Sequence, residues 1–534
     1  MRRAALVPTV DQLAVVTSDD KLSLPEYVEN KPVVRVFSPE AQDRCDDRRR
    51  RVRRAWSVNA WRGGFRGATV WDELGPMRVL ADASESVRAE SVLLLGADWC
   101  AVDPQLCEAL LCKRAEAPES MPLCFSQAPP GLSGLAISSK LLRDLANTGR
   151  SFADLLAYNP SRPTVDPISQ EFNIAVPAEV RTIARRFIYD TPEAIARLEG
   201  LQSSLGTAAF LEADAETLVA RTRRLELEYP VKRFEHLPPI CDIELTPRRV
   251  ACGPITPQHH LRIERNDLSN GHLLPLARSL QGHAVTLGGI GEPLLYPDWR
   301  EVIQVFKDAG AAAVAIQTDL VADDEKTPRE VTEQIIDADP DVVFVRLNAE
   351  SAEIYEQAMG MGRFDFVVET LQDLFAKRAA IAKQVDASHA FPLIVPTLTK
   401  TRTTTPSMEH FFERWWQLAD HAVIHRYPQG GRGDFALAQD DNPVPMDPPW
   451  REIDPHQYKH RLTVLSDGQV SLCHEDWLGR ASIGELASAS LPELWLRFPE
   501  SKLSTDWQHD NSPCCPRCFA FASTHTQAEH LTPA

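Results

Sequence analysis

The chain has 534 residues, enough for about three domains. Apolar residues make up 43% and charged residues 25%, which supports a sizeable core and excludes wholesale disorder. The formal net charge of -18 excludes a nucleic-acid binder that relies on bulk positive charge, and 11 cysteines are too few for a disulfide scaffold.

From the N-terminus, Met1-Arg2-Arg3 precedes only a short apolar stretch, which Pro8 and Asp11 interrupt. That is a poor signal peptide, and no run of about 18 apolar residues predicts a membrane span. A cytoplasmic protein with reduced thiols is expected. Val33–Phe37 and Val92–Leu95 read as buried strands. Between them lies a run of seven arginines from Arg44 to Arg54, read as a solvated helix face. Asp98 follows the second strand, and a helix is expected from Gln105 to Arg114. Cys107 and Cys112 on that helix read as small core residues. Leu135–Ile137 is a short strand. Two proline-rich stretches, Asn159–Pro177 and Pro428–Pro455, read as linkers. They predict domains at 1–160, 178–427 and 456–534.

The middle section alternates strand and helix. Strands are expected at Cys241–Thr246, Ala284–Leu287, Ala312–Ile316, Asp341–Leu347, Phe391–Thr397 and Ala422–His425. Between them, Trp299, Val302, Ile303 and Phe306 mark one helix face, with Gly310 as its stop. Pro328 opens a second helix, Phe364 a third and Met408 a fourth. Six such units require parallel pairing with the helices outside, so a partial (β/α)6 barrel or an open α/β sheet is expected. In a barrel, the site lies beyond the C-terminal strand ends.

The second strand leads into Gly288-Gly289-Ile290-Gly291-Glu292-Pro293. Glycines there let the backbone approach a ligand, and Glu292 adds a carboxylate suited to an ammonium group. This segment resembles the glycine–glutamate motif of radical S-adenosylmethionine (radical SAM) enzymes. Ile316-Gln317-Thr318-Asp319 and Val345-Arg346-Leu347-Asn348 resemble that family's next two strand ends. The resemblance implies that Gly288, Gly289, Gly291, Glu292 and Thr318 bind S-adenosylmethionine. The family also carries Cys-x3-Cys-x2-Cys after its first strand, three thiolates that hold a [4Fe-4S] cluster. Here Glu244-Leu245-Thr246-Pro247-Arg248 matches the lead-in, but Arg249, Gly253 and Thr256 stand at the cysteine positions. Lost or altered radical chemistry is therefore expected.

In the C-terminal section, Leu462–Cys473 reads as a hairpin turning at Asp467-Gly468. Cys514, Cys515 and Cys518 follow, the last two as Cys-x2-Cys. This resembles the SPASM domain, which implies a [4Fe-4S] cluster or zinc on Cys473, Cys514, Cys515 and Cys518. The N-terminal section resembles the nucleotidyltransferase-like (GT-A) fold, with Asp98 at that fold's metal-binding position. The three-part order resembles the spiro-SPASM proteins. The expected function is a radical SAM/SPASM-family protein with lost or altered radical chemistry that binds S-adenosylmethionine as a nucleotide-like ligand, and whether its substrate is a small molecule or a peptide is left open. A non-catalytic binding protein and a sugar-nucleotide transferase are the alternatives.

Overall fold

The computed structural model describes residues 1–42, 44–57, 60–63, 65–159, 162–183, 185–228, 236–322, 325–384, 390–426, 461–472, 474, 476–480 and 482–497. The chain divides into two compact units, Met1–Arg233 and Phe234–Ala528.

In the first unit, β1 (Leu13–Thr17) pairs in parallel with β3 (Lys31–Phe37), which also pairs antiparallel with β2 (Tyr27–Val28). The strand expected at Val33–Phe37 forms, but it is not buried: Phe37 is half exposed. A second sheet runs β4-β6-β5-β7, built from Ser91–Leu94 (β4), Leu123–Ser126 (β5), Leu135–Ser138 (β6) and Asn173–Ile174 (β7). β6 is antiparallel to both neighbours and β7 is parallel to β5. Trp71, Phe125, Ile137, Leu142 and Phe152 pack the core beside it.

Two readings of this region change. The stretch 159–177 contributes β7 to the sheet and so is more than a linker. Helices Pro192–Leu205 and Ala215–Glu228 close a core of Val180, Phe187, Leu198, Leu201 and Leu218 with Ala101 and Leu132. Residues 178–228, expected with the barrel, therefore belong to the first unit.

The arginine run forms the helix Arg44–Trp56, but its last turn faces inward. Arg53 is buried and donates to Glu73, with Arg53 Nη2 also donating to Ala60 O at 2.6 Å. Arg54 bridges Glu73 (2.9 Å), Asp98 (3.3 Å) and Asp190 (3.4 Å). Only part of the run is a solvated face, because Glu73 draws the rest under cover. On the helix Pro104–Glu116, Cys107 is buried as expected, whereas Cys112 is exposed and donates to Glu108.

In the second unit, the apolar runs of the middle section become six parallel strands paired in sequence order. They are β8 (Ile240–Ile243), β9 (Ala284–Leu287), β10 (Ala313–Thr318), β11 (Val342–Arg346), β12 (Leu393–Lys400) and β13 (Val423–Arg426). Cys241, Ile243, Val285, Leu287, Val314 and Ile316 share one sheet face and pack with Val302, Ile303 and Phe306 of the helix Trp299–Asp308. Gly310, at φ +86°, follows that helix, as its sequence position predicts. The helix Pro328–Ala338 begins with a capping box between Thr327 and Glu330. The alternate residues of the strands face the other way and make the concave face of the partial barrel.

The expected hairpin forms as β14 (Arg461–Val464) and β15 (Gln469–Ser471), followed by β16 (Ser482–Glu485). It does not stand apart. β14 pairs in parallel with β8, in the register Leu462↔Cys241 and Thr463↔Asp242. The described part of the 456–534 segment thus extends the barrel sheet. Among the described residues, no helix is long and apolar enough to cross a membrane.

Candidate functional site at the strand ends of the barrel

The segments that leave β8, β9, β10 and β11 meet in one cluster. Arg249 comes from the loop after β8, Glu292 from the glycine turn after β9, Thr318 and Asp319 from the end of β10, and Arg346 from the end of β11. Arg249 and Asp319 form a bidentate ion pair, Nε to Oδ2 and Nη2 to Oδ1, both at 2.6 Å. Arg346 stands 3.6 Å from Asp319 Oδ1 and donates to Gly291 O (2.8 Å) and Gln317 O (2.6 Å). Glu292 Oε1 accepts from Thr318 Oγ1 (2.6 Å) and Leu294 N (3.1 Å), and Glu292 Oε2 accepts from Asp319 N (2.6 Å). Glu292, Thr318 and Asp319 are fully buried. Two arginines face two carboxyls, so the cluster balances its own charge once Glu292 has lost its proton.

Burial works against every charge here, and the partners decide the outcome. For Arg249, burial is outweighed by Asp319, and its pKa stays above the ordinary value. For Arg346, burial and then the like charge of Arg249 lower the pKa to about 10. For Glu292, burial and then the like charge of Asp319 raise it to about 7. Tyr355 beside them is also pushed up, chiefly by burial.

The sequence reading placed Gly288, Gly289, Gly291, Glu292 and Thr318 together, and the structure brings all five to one place. They engage one another and their own chain. Gly289 turns at φ +77°. A Cβ at Gly291 would run into Thr246 O, and one at Gly288 would crowd Gln317. The glycines therefore let β9 and the loop after β8 close together. Gly291→Ala is expected to cost about 1–3 kcal/mol, because the obstructing atom is backbone. A fall in the thermal midpoint of the second unit would report it.

The loop after β8 does not fit a [4Fe-4S] cluster. Arg249 is committed to Asp319. At Gly253 a Cβ would collide with Ala358 O and the backbone of Met359 and Gly360, so no cysteine side chain fits there. Thr256 is buried, and its Oγ1 donates to Gly253 O at 2.8 Å. Cys252 is exposed and out of register. His259 and His260 bond to the backbone oxygens of Cys252 (3.0 Å) and Pro254 (2.7 Å). Among the described residues, no group of three His, Cys, Asp or Glu side chains is arranged to hold a metal ion. Cys473, Cys514, Cys515 and Cys518 lie outside the described residues.

The sequence reading missed Arg249 and Arg346 as partners, and it missed a second buried pair. Glu244 Oε1 accepts from Arg265 Nη2 (2.7 Å) and Ser466 Oγ (2.8 Å). A signal was present, since Asp242 and Glu244 interrupt an otherwise apolar strand. In the first unit, Asp98 follows β4 as expected but is paired with Arg54.

No family model matches the chain. A curated protein of Treponema pallidum (strain Nichols), described as an uncharacterized protein, is 24% identical over 220 residues, 40% of this chain. The matched region spans 57% of that protein's length. Among solved structures, BtrN in complex with AdoMet and 2-DOIA is similar at 12% identity and a TM-score of 0.35, covering 55% of this chain and 98% of that one. Streptococcus suis SuiB bound to S-adenosylmethionine is similar at 10% identity and a TM-score of 0.39, covering 60% and 81%. Methylornithine synthase (PylB) is similar at 15% identity and a TM-score of 0.28, covering 43% and 60%.

Proposed function

We propose that the Phe234–Ala528 unit is a radical SAM-type partial barrel that has exchanged its cluster loop for a buried ion network, and that it acts by binding a ligand without radical chemistry of its own. The bidentate Arg249–Asp319 pair carries this reading. It occupies the first cysteine position, and the packing at Gly253 closes the second. Both oxygens of Glu292 are taken by the chain, so the amino group of S-adenosylmethionine would have to displace Thr318 or the amides of Leu294 and Asp319.

The hairpin that leads to Cys473 supports a second, separate reading. Gly468 turns at φ +86° between β14 and β15, in keeping with a SPASM-like segment that ends in Cys473, Cys514, Cys515 and Cys518. A [4Fe-4S] cluster or zinc would be held there. Anaerobic reconstitution with iron and sulfide tests both readings. Cys515→Ser/Cys518→Ser is expected to abolish all iron–sulfur absorbance. A cluster that persists in that variant would sit at the loop after β8 and overturn the proposal. Zinc in place of iron would leave a structural C-terminal site. Calorimetry with S-adenosylmethionine is expected to show no binding that depends on Glu292, and a Glu292→Ala-sensitive signal would restore the cofactor.

For the first unit, the β4-β6-β5-β7 order with antiparallel β6 supports a GT-A-like reading, while the Arg54 pair speaks against Asp98 as a metal ligand. Divalent-ion-dependent nucleotide binding that is lost in Asp98→Ala would revive the transferase reading.

A further inference from the structure

The concave face of the barrel carries a row of polar side chains that the ion network does not use. The register sets Thr463 of β14 beside Asp242 of β8, and Asp242 beside Thr286 of β9. All three are on the face opposite the helix-packed core, since Leu462, Cys241 and Val285 are in that core. Asp242 and Thr286 are 7% exposed and Thr463 4%. Asp242 Oδ1, Thr286 Oγ1 and Thr463 Oγ1 are buried with no hydrogen-bond partner among the described residues. Such atoms each cost about 1–3 kcal/mol when left unpaired, so three in one row call for a partner.

The charges in the row are already matched. Asp242 Oδ2 is 3.4 Å from Arg461 Nη1, and Glu244, next on the same face of β8, is paired with Arg265. An added cation has no uncompensated carboxylate to meet. What remains is one carboxylate oxygen that can only accept and two hydroxyls that can each donate and accept. Burial raises the Asp242 pKa, while Arg461 and the nearby Thr286 lower it, yet no hydrogen bond of ordinary geometry closes between Asp242 and Thr286. Small residues flank the row. Ala315 is the next position across on β10, and Gly288 comes immediately after β9, two residues beyond Thr286. Gln317, half-buried, leans over Gly288 with its Oε1 3.2 Å from where a Cβ would stand.

We propose that Asp242, Thr286 and Thr463 form a binding subsite for an uncharged ligand that presents adjacent hydroxyl groups, as a sugar or cyclitol ring does. One hydroxyl donates to Asp242 Oδ1, and its neighbours exchange hydrogen bonds with the two threonines. The inference rests on the reading of the barrel as a binding domain only in taking the concave face as the binding face.

The test is calorimetry or saturation-transfer NMR on the full chain with methyl glucoside and myo-inositol as probes. One or both should bind, and the stronger of the two names the ring class. Asp242→Asn should weaken that binding by about tenfold or more, the weight of a hydrogen bond to a charged group. Thr463→Val and Thr286→Val, each close in shape, should weaken it several-fold and keep the variants folded where Asp242→Asn does not. Binding of neither probe, or binding indifferent to all three variants, would overturn the proposal and show a row that holds only internal water. Glucosamine binding much more tightly than either neutral probe would also overturn it, because the site would then select a cation. Cluster uptake at the loop after β8 would sink the binding-domain reading and leave these titrations unaffected.

Discussion

Arg249→Met is expected to destabilise the second unit by about 3–5 kcal/mol, the usual cost of removing one partner from a buried ion pair. Asp319 is fully buried, and the substitution would leave Arg346, 3.6 Å away, as its remaining positive partner. Asp319→Asn should fare little better, since Arg249 and Arg346 would then face Glu292 alone. Removing both partners, in Arg249→Met/Asp319→Leu, should recover much of the loss, because an uncharged pair needs no counter-charge. Denaturant unfolding gives the size of the effect. Hydrogen exchange of the β8–β11 amides assigns it to this unit. A loss below about 1 kcal/mol would place the pair in solvent-like surroundings and remove the case against the cluster loop. The same cluster sets a pH dependence. Glu292 keeps its proton in the folded state up to about pH 7, whereas its ordinary value is 4.5. Its contribution is therefore fully present below about pH 4.5 and is lost as the pH rises through about 7.

The strands of the barrel were legible because each is a short apolar run between turn signals, and the register of β8–β13 follows their order in the chain. The glycine turn was legible as a unit for a similar reason: its residues are adjacent in sequence. The Arg249–Asp319 pair was not, since its members are 70 positions apart and meet only where two strand ends converge. Asp242 was hidden for a different reason. A polar residue that alternates with apolar ones usually faces water, but on the concave face of a barrel the same alternation points inward. Residues 178–228 were assigned to the wrong unit because the proline-rich stretch before them reads as a boundary, and nothing in it shows which core the helices beyond it join. The arginine run misled through composition, since the buried Glu73 that takes Arg53 and Arg54 lies well outside the run.

Glu73→Gln is expected to cost the first unit about 3–5 kcal/mol and to reduce its acid sensitivity. Glu73 is buried and accepts from Arg53, Arg54 and Arg186, of which Arg53 and Arg186 are also buried. Glutamine keeps the shape and one acceptor oxygen but removes the charge, leaving Asp190 and Asp98 to balance three arginines. Burial alone would raise the Glu73 pKa, but Arg186, then Arg53 and Arg54, outweigh burial and hold it near 2. The unfolded chain takes up this proton near 4.5, so the group stabilises the fold above that pH. The contribution is lost as the pH falls from about 4.5 through about 2. Unfolding profiles of the wild type should slope downward across that window, and those of Glu73→Gln should be flatter and lower at neutral pH. An unchanged acid limb in the variant would mean that other carboxyls carry the transition. A neutral-pH loss without that change in slope would separate the packing of Glu73 from its charge.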